Sequence, residues 1–169
     1  MQKDEIQKAL DRFRDHVIAQ AKRNLTSKGK NASKNLYNSI EGEVKAMPNS
    51  ISINFSMADY GVYQDKGVSG IKKKYDTDFS YTNKMPPPSK LDKWIVRKGL
   101  APRTTTGKFQ SRKGLQFAIA RSIYINGIKP SLFFTKPFEA AYKNLPNELI
   151  DKYGLEASKL FNDIIKQPK

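Results

Sequence analysis

The period of the apolar residues drops from three or four to two early in this chain, and that change decides what it can fold into. Over residues 4–28, Ile6, Leu10, Phe13, Val17, Ala21 and Leu25 recur every three or four positions. The spacing places them on one face and predicts an amphipathic helix. Asp4 and Glu5 fall in its first turn, where the helix dipole favours negative charge, and Lys28-Gly29 fits its end. After the polar loop 30–35 the period becomes two. Ile40, Val44 and Ala46 alternate with Glu41, Glu43 and Lys45; beyond Pro48-Asn49, Ile51, Ile53, Phe55 and Met57 alternate with Ser50, Ser52, Asn54 and Ser56. Each run has one buried and one wet face, so together they predict an antiparallel hairpin turning at Pro48-Asn49. Gly42 marks a bulge or a close approach in it.

Helical signals dominate the remainder. Residues 58–67 predict a short helical turn ending at Gly67, with Tyr60 and Tyr63 on one side. Residues 68–88 are irregular and end in Pro86-Pro87-Pro88, which forbids a helix there. Within them YDTDFSY reads as a further short strand or an extended arm. Ser89-x-x-Asp92 resembles a capping box and opens a helix with Leu91, Trp94 and Ile95 as its stripe and Gly99 as its end. A basic loop over 101–113 precedes a helix over about 114–126, with Leu115, Ala118, Ile119, Ser122 and Ile123 on one face and Gly127 closing it. That segment is nearly continuously apolar, which predicts burial. Pro137 fits the first turn of a helix running through Phe138, Ala141, Tyr142, Leu145 and Leu149, kinked at Pro146. The fold class expected is α+β: a small antiparallel sheet packed against several helices, with long basic loops. The organisation expected is a single domain over 1–153 with an insertion loop at 68–88, then a C-terminal helical extension over 154–169.

Length supports one domain, since 169 residues can bury a core without metal or disulfide staples. With no cysteine and His16 as the lone histidine, thiol chemistry, Cys-type zinc sites and histidine-dependent triads are excluded or disfavoured. His16 reads as an ordinary helix residue. Asp59, Asp65, Asp76, Asp78 and Asp92 are the candidate carboxylates for a two-metal nuclease, but no spacing joins them on one face. Thr104-Thr105-Thr106 has no partner base. No enzymatic activity and no cofactor are expected. No apolar run reaches the roughly 18–20 residues of a membrane span, and the charged N-terminus lacks the apolar core of a secretory signal. A soluble cytoplasmic product is expected, or one packaged from the cytoplasm, with no membrane partner.

Charge narrows the partners. The formal net charge is +15, from 31 basic and 16 acidic residues. It is uneven: residues 66–121 hold 14 basic and 3 acidic side chains, a net of +11, while each flank holds +2. The densest points are Lys72-Lys73-Lys74, Arg97-Lys98 and the run Arg103, Lys108, Arg112, Lys113. Such blocks face anionic partners, nucleic acid or acidic protein. A helix-turn-helix is disfavoured, because about 15 residues separate the two central helices where that motif uses three or four. Trp94, Phe117, Phe133, Phe134 and Phe138 sit among aliphatic residues and are expected in the core. Tyr75, Phe79 and Tyr81 lie in the charged segment, as anchors on a neighbouring subunit or as local packing.

Three stretches together resemble a known family. Asn35-Leu36-Tyr37-Asn38-Ser39-Ile40, the hairpin, and Tyr60-Gly61-Val62-Tyr63-Gln64-Asp65-Lys66-Gly67 follow an L-x-x-S-I … Y-(A/G)-x-(Y/F)-x-(D/E)-x-G order. Pro87-Pro88-Ser89-Lys90-Leu91-Asp92-Lys93-Trp94-Ile95 comes next. Then come Phe117-Ala118-Ile119-Ala120-Arg121-Ser122-Ile123, Gly127-Ile128-Lys129-Pro130, Phe133-Phe134 and Pro137-Phe138. In order and spacing, over roughly residues 1–150, this is similar to the tail-completion, or head–tail joining, neck proteins of lambda-like tailed phages. A ring protein below the portal of a short-tailed phage is the related reading. The long segment 68–86 and the extension after Gly154 depart from the pattern. The resemblance implies a structural virion protein assembled in the host cytoplasm into a ring of about six or twelve subunits. Its implied partners are a portal or adaptor protein, a tail tube or tail hub protein, and genomic DNA bound non-specifically. It implies structural roles, as positions of the family's shared motifs, for Ser39, Tyr60, Tyr63, Asp65, Gly67, Trp94, Arg121, Gly127, Pro130 and Pro137. Loops bearing Lys72, Lys73, Lys74, Tyr75, Phe79, Tyr81, Arg103, Lys108, Arg112 and Lys113 would meet other subunits or DNA. The competing expectation is a basic nucleic-acid-binding module that forms no ring.

Overall fold

A computed structural model describes residues 3–153; the expected helical extension over 154–169 lies outside the described residues. The elements in chain order are α1 (Lys3–Ser27), α2 (Asn35–Ser39), β1 (Glu41–Ala46), β2 (Ile51–Ser56), α3 (Gly61–Lys66), a 3-10 helix (Pro88–Leu91), α4 (Asp92–Arg97), α5 (Arg112–Asn126), α6 (Thr135–Tyr142) and α7 (Asn147–Tyr153). The fold is α+β with one two-stranded antiparallel sheet among the described residues. Two compact units divide the chain. One takes residues up to Asp65 and from Leu132 onward; the other is Lys66–Ser131.

The first unit is built on the two periodic segments. All six stripe residues of α1, from Ile6 to Leu25, are buried. The helix ends in a Schellman motif: Gly29 takes φ 62°, Lys30 N–H donates to the Leu25 carbonyl at 2.9 Å, and Gly29 N–H donates to Thr26 at 3.1 Å. In the hairpin Val44 pairs with Ile53, Ala46 with Ile51 and Gly42 with Phe55. The register is continuous, so Gly42 is a close approach and not a bulge. A Cβ there would sit 2.8 Å from Arg14 Cγ and 2.9 Å from the Phe55 ring.

A lone hairpin is barely stable in water, and α1 supplies what it lacks. The Gln7 side chain accepts from Ala46 N–H at 2.8 Å and donates to the Val44 carbonyl at 3.1 Å, satisfying backbone groups of β1. The inner face packs Phe55 into a ring cluster with Phe13, Phe134 and Phe138, centroids 5.3–6.5 Å apart and mostly edge-to-face. The expected kinked helix around Pro146 is instead two helices. α6 stops at Tyr142, and α7 starts after Pro146, whose carbonyl accepts from Leu149 and Ile150. Proline has no N–H to continue α6, so the break is complete.

In the second unit α5 is the longest element. Ser111 Oγ accepts from Gly114 N–H at 3.1 Å and caps its start. The expected capping box at Ser89 does not form. Ser89 lies inside the 3-10 helix, which Pro88 starts with its fixed φ, and α4 follows with no side-chain cap. Gly99 ends α4, again through a Schellman motif: Leu100 N–H donates to Ile95 and Gly99 N–H to Val96. Gln116 Nε2 donates to Asp92 Oδ1 at 2.7 Å and so ties α5 to the first residue of α4.

Candidate interaction surface

Asp65, Ser39 and the glycines of the motif segments do structural work. Asp65 is buried, and its Oδ1 accepts from Phe134 N–H at 2.8 Å and Thr135 N–H at 3.2 Å. Its Oδ2 accepts from the Thr135 hydroxyl. A carboxylate from distant sequence thus caps the N-terminus of α6, where free N–H groups and the helix dipole favour negative charge. Pro137, in the first turn of α6, is buried. Ser39 Oγ donates to the Leu36 carbonyl and accepts from Ala58 N–H, both at 2.9 Å, and so ties α2 to the end of the hairpin. Tyr60 and Tyr63 are exposed.

In the second unit, residues 67–70 cross residues 125–130 so closely that only glycine fits. A Cβ on Gly70 would lie 2.2 Å from the Ile125 carbonyl oxygen, and one on Gly127 (φ 72°) 2.1 Å from that of Val68. Gly67 is closed in by Ile128 and Pro130. Val68 and Ile128 exchange backbone hydrogen bonds of 2.9 and 2.8 Å across this crossing.

The crossing fixes the first basic loop. Ile71, Lys72 and Lys73 donate their N–H groups to the carbonyls of Tyr124 and Ile125, the last turn of α5. Those carbonyls would otherwise be orphaned, and the lysines sit where the dipole favours cations. Lys72, Lys73 and Lys74 are exposed, with the Lys73 ammonium 5.6 Å from the Tyr75 ring centroid. The aromatics pack locally and are half-buried. Phe79 accepts from Ser69 N–H through its carbonyl, Ser69 Oγ bonds both backbone groups of Tyr75, and Tyr81 meets Tyr124 edge-on at 6.4 Å. Burial pushes the Tyr81 phenol pKa up. YDTDFSY is therefore an arm held on its own unit, and its one ladder contact is the parallel bridge of Ser80 with Ser69.

The second basic loop is a small hairpin. Arg103 bridges Phe109, Thr104 N–H donates to Lys108 and Gln110 N–H to Pro102, and Gly107 (φ 79°) makes the turn. The Arg103 guanidinium is 3.9 Å from the Phe109 ring centroid and donates to the Gly107 carbonyl at 3.1 Å. Phe109 is 66% exposed. The hairpin leads into Arg112 and Lys113 in the first turn of α5; both are exposed, and Arg112 lies 3.6 Å from Asp92.

The two basic clusters are not brought together. They occupy opposite ends of α5, about 18 Å apart at 1.5 Å per residue. Their electrostatics also differ. Lys72–Lys74 complement a helix C-terminus, whereas Arg112 and Lys113 oppose the positive end of the same helix, offset for Arg112 by Asp92 at 3.6 Å. Between Asp92 and Glu139 the sequence has no acidic residue and ten basic ones. The whole second unit holds 15 basic and 3 acidic residues, a net of +12.

Burial corrects two expected core residues. Trp94 is 39% and Phe117 53% exposed, because α4 buries Ile95 and α5 buries Ala120 fully while their other faces have no further layer in the unit. Val96 and Leu100 are also exposed. Arg121 is an exposed residue of α5. The structure adds residues that pattern reading passes over. The lone aromatic Phe109 inside a basic run is the available signal for the hairpin. Ser69 and Thr77, whose hydroxyl donates to the Gly67 carbonyl at 3.2 Å, carry none.

Of the candidate carboxylates, Asp65 is committed to α6 and Asp92 to Gln116 and Arg112. Among the described residues no group of three or more carboxylates or histidines is placed to hold a metal, and no helix is long and apolar enough to cross a membrane. No protein-family model, curated protein or solved structure matches this chain.

Proposed function

We propose that this chain is a structural, non-enzymatic virion protein of a tailed bacteriophage. It closes head-to-tail into a ring of about six or twelve copies. The ring joins the portal or adaptor to the tail tube or tail hub and lines the DNA channel. The order of the motif segments supports the family reading. The observation that carries the assembly is the exposure of Trp94 and Phe117 on α4 and α5. A unit of 66 residues that leaves its tryptophan, a phenylalanine and neighbouring Val96 and Leu100 in water is completed by another surface. Mass photometry and negative-stain microscopy of the purified chain at micromolar concentration test this. Rings are expected, and Trp94→Ser with Phe117→Ser returns them to monomers. A chain that stays monomeric and is missing from purified particles overturns the reading.

The acid-free stretch from Lys93 to Phe138 favours a second reading, a nucleic-acid-binding module that needs no ring. Tight, steeply salt-dependent binding by a persistent monomer is its signature.

A further inference from the structure

We propose that the hairpin over residues 102–110, with the first turn of α5, is a binding site for single-stranded nucleic acid: a base stacks on Phe109 and the phosphates meet Arg103, Lys108, Arg112 and Lys113. This stands on the second unit's own residues, whether or not the chain assembles into a ring.

Four observations converge. Phe109 is the most exposed large apolar side chain among the described residues, at 66%. Arg103 covers one side of the ring, and most of the remaining surface faces water. The ring is held in place: its strand position is bridged to Arg103, and the Arg103 guanidinium lies over it while bonded to the Gly107 carbonyl. Ring and cation are thus ordered before a ligand arrives, which lowers the cost of binding. Next, Lys108, Arg112 and Lys113 lie within four residues of Phe109 on the same exposed segment, and two of them oppose the dipole of the helix they begin. Finally, the stretch from Lys93 to Phe138 holds no acid, and the carboxylate beside these cations is Asp92, 3.6 Å from Arg112 in an exposed pair that a phosphate can displace.

The aromatic decides the type of nucleic acid. Cations alone serve a duplex equally well, since they read only backbone charge. A duplex hides the faces of its bases, whereas a single strand offers them, and base–aromatic stacking beside cations is how sequence-tolerant single-strand sites are built. The same pairing distinguishes this hairpin from Lys72–Lys74, whose ring partner Tyr75 is half-buried.

Fluorescence anisotropy of the full chain with labelled oligothymidylate, and with a blunt duplex of equal length, tests the site across salt. Oligothymidylate is expected to bind tighter than duplex. Phe109→Leu keeps an apolar side chain without a π-face and weakens oligothymidylate binding about tenfold, while Phe109→Trp retains it. Arg112→Ala with Lys113→Ala flattens the log–log salt slope by about 1.4, that is about 0.7 for each phosphate no longer neutralised. Circular dichroism confirms that each variant is folded. Equal affinity for duplex, or a Phe109→Leu variant indistinguishable from the parent, overturns the stacking site. Absence of binding at low salt overturns it too. Because mass photometry without nucleic acid reads the ring separately, either proposal can fail while the other survives.

Discussion

A single buried carboxylate shows how much of this structure turns on non-local pairing. Asp65 is far in sequence from the start of α6, yet it satisfies two backbone N–H groups and a hydroxyl there. Asp65→Ala strands those donors in the interior, at about 1–3 kcal/mol for a buried unsatisfied group. A loss of about 2–3 kcal/mol in urea unfolding is expected, with Asp65→Asn closer to about 1 kcal/mol because one amide oxygen still accepts. A change under about 0.5 kcal/mol for the alanine variant would mean that the cap does not hold α6. The sequence marks Asp65 through a family pattern and also as a nuclease carboxylate. Its partners, Phe134 and Thr135, carry no local sign that their N–H groups await a distant acid. Gly70 and Gly127 are hidden for the same reason. Each is explained by the other's backbone, and a crossing of two loops leaves no period to read.

At the scale of elements, legibility follows one-sidedness. α1 and the hairpin each have one face in the core and one in water, so their periods stand in the sequence and the boundaries agree within a residue or two. α5 is apolar nearly all round from Leu115 to Ile125, and such a run states that the residues avoid water without saying what covers them. The run predicts burial, yet Phe117 and Ala118 are exposed in the chain. The insertion after Gly67 is irregular as expected, but its order comes from capping α5, which no local pattern announces. Tyr81 makes that anchoring measurable. Its folded pKa is raised by burial above the ordinary value of 10.0. The neutral phenol is therefore favoured by folding below about pH 10, and that contribution is lost as pH rises through the folded value. Stability is expected to fall from about pH 10 upward more steeply in the parent than in Tyr81→Phe. Parallel slopes in chemical unfolding at about pH 9 to 11 would show that the phenol is not buried on α5.

At the scale of the whole molecule one polypeptide forms two units, with most of its net charge on one of them. The chain leaves the first unit at Asp65 and re-enters at Leu132, and Leu132 N–H donates to the Asp65 carbonyl at 3.0 Å. Entry and exit are therefore adjacent, the arrangement that lets a segment be removed without stretching the chain. The core of the first unit, α1 against the hairpin with Phe134 and Phe138 from α6, draws every one of its buried side chains from outside 66–131. Replacing residues 66–131 by two or three glycines is expected to leave a cooperatively folded protein, at a moderate loss for closing the new turn. The excised unit carries +12 of the +15 charge, so the remainder has a formal net charge near +3. Its elution from heparin should drop sharply in salt, while far-ultraviolet dichroism keeps the signal of α1, α6 and the hairpin. An unfolded deletion variant would show that the core of the first unit depends on the inserted one. A folded variant that still binds heparin like the parent would place the polyanion site on the first unit, and would move the search for partners from the basic hairpin to the face of Tyr60 and Tyr63.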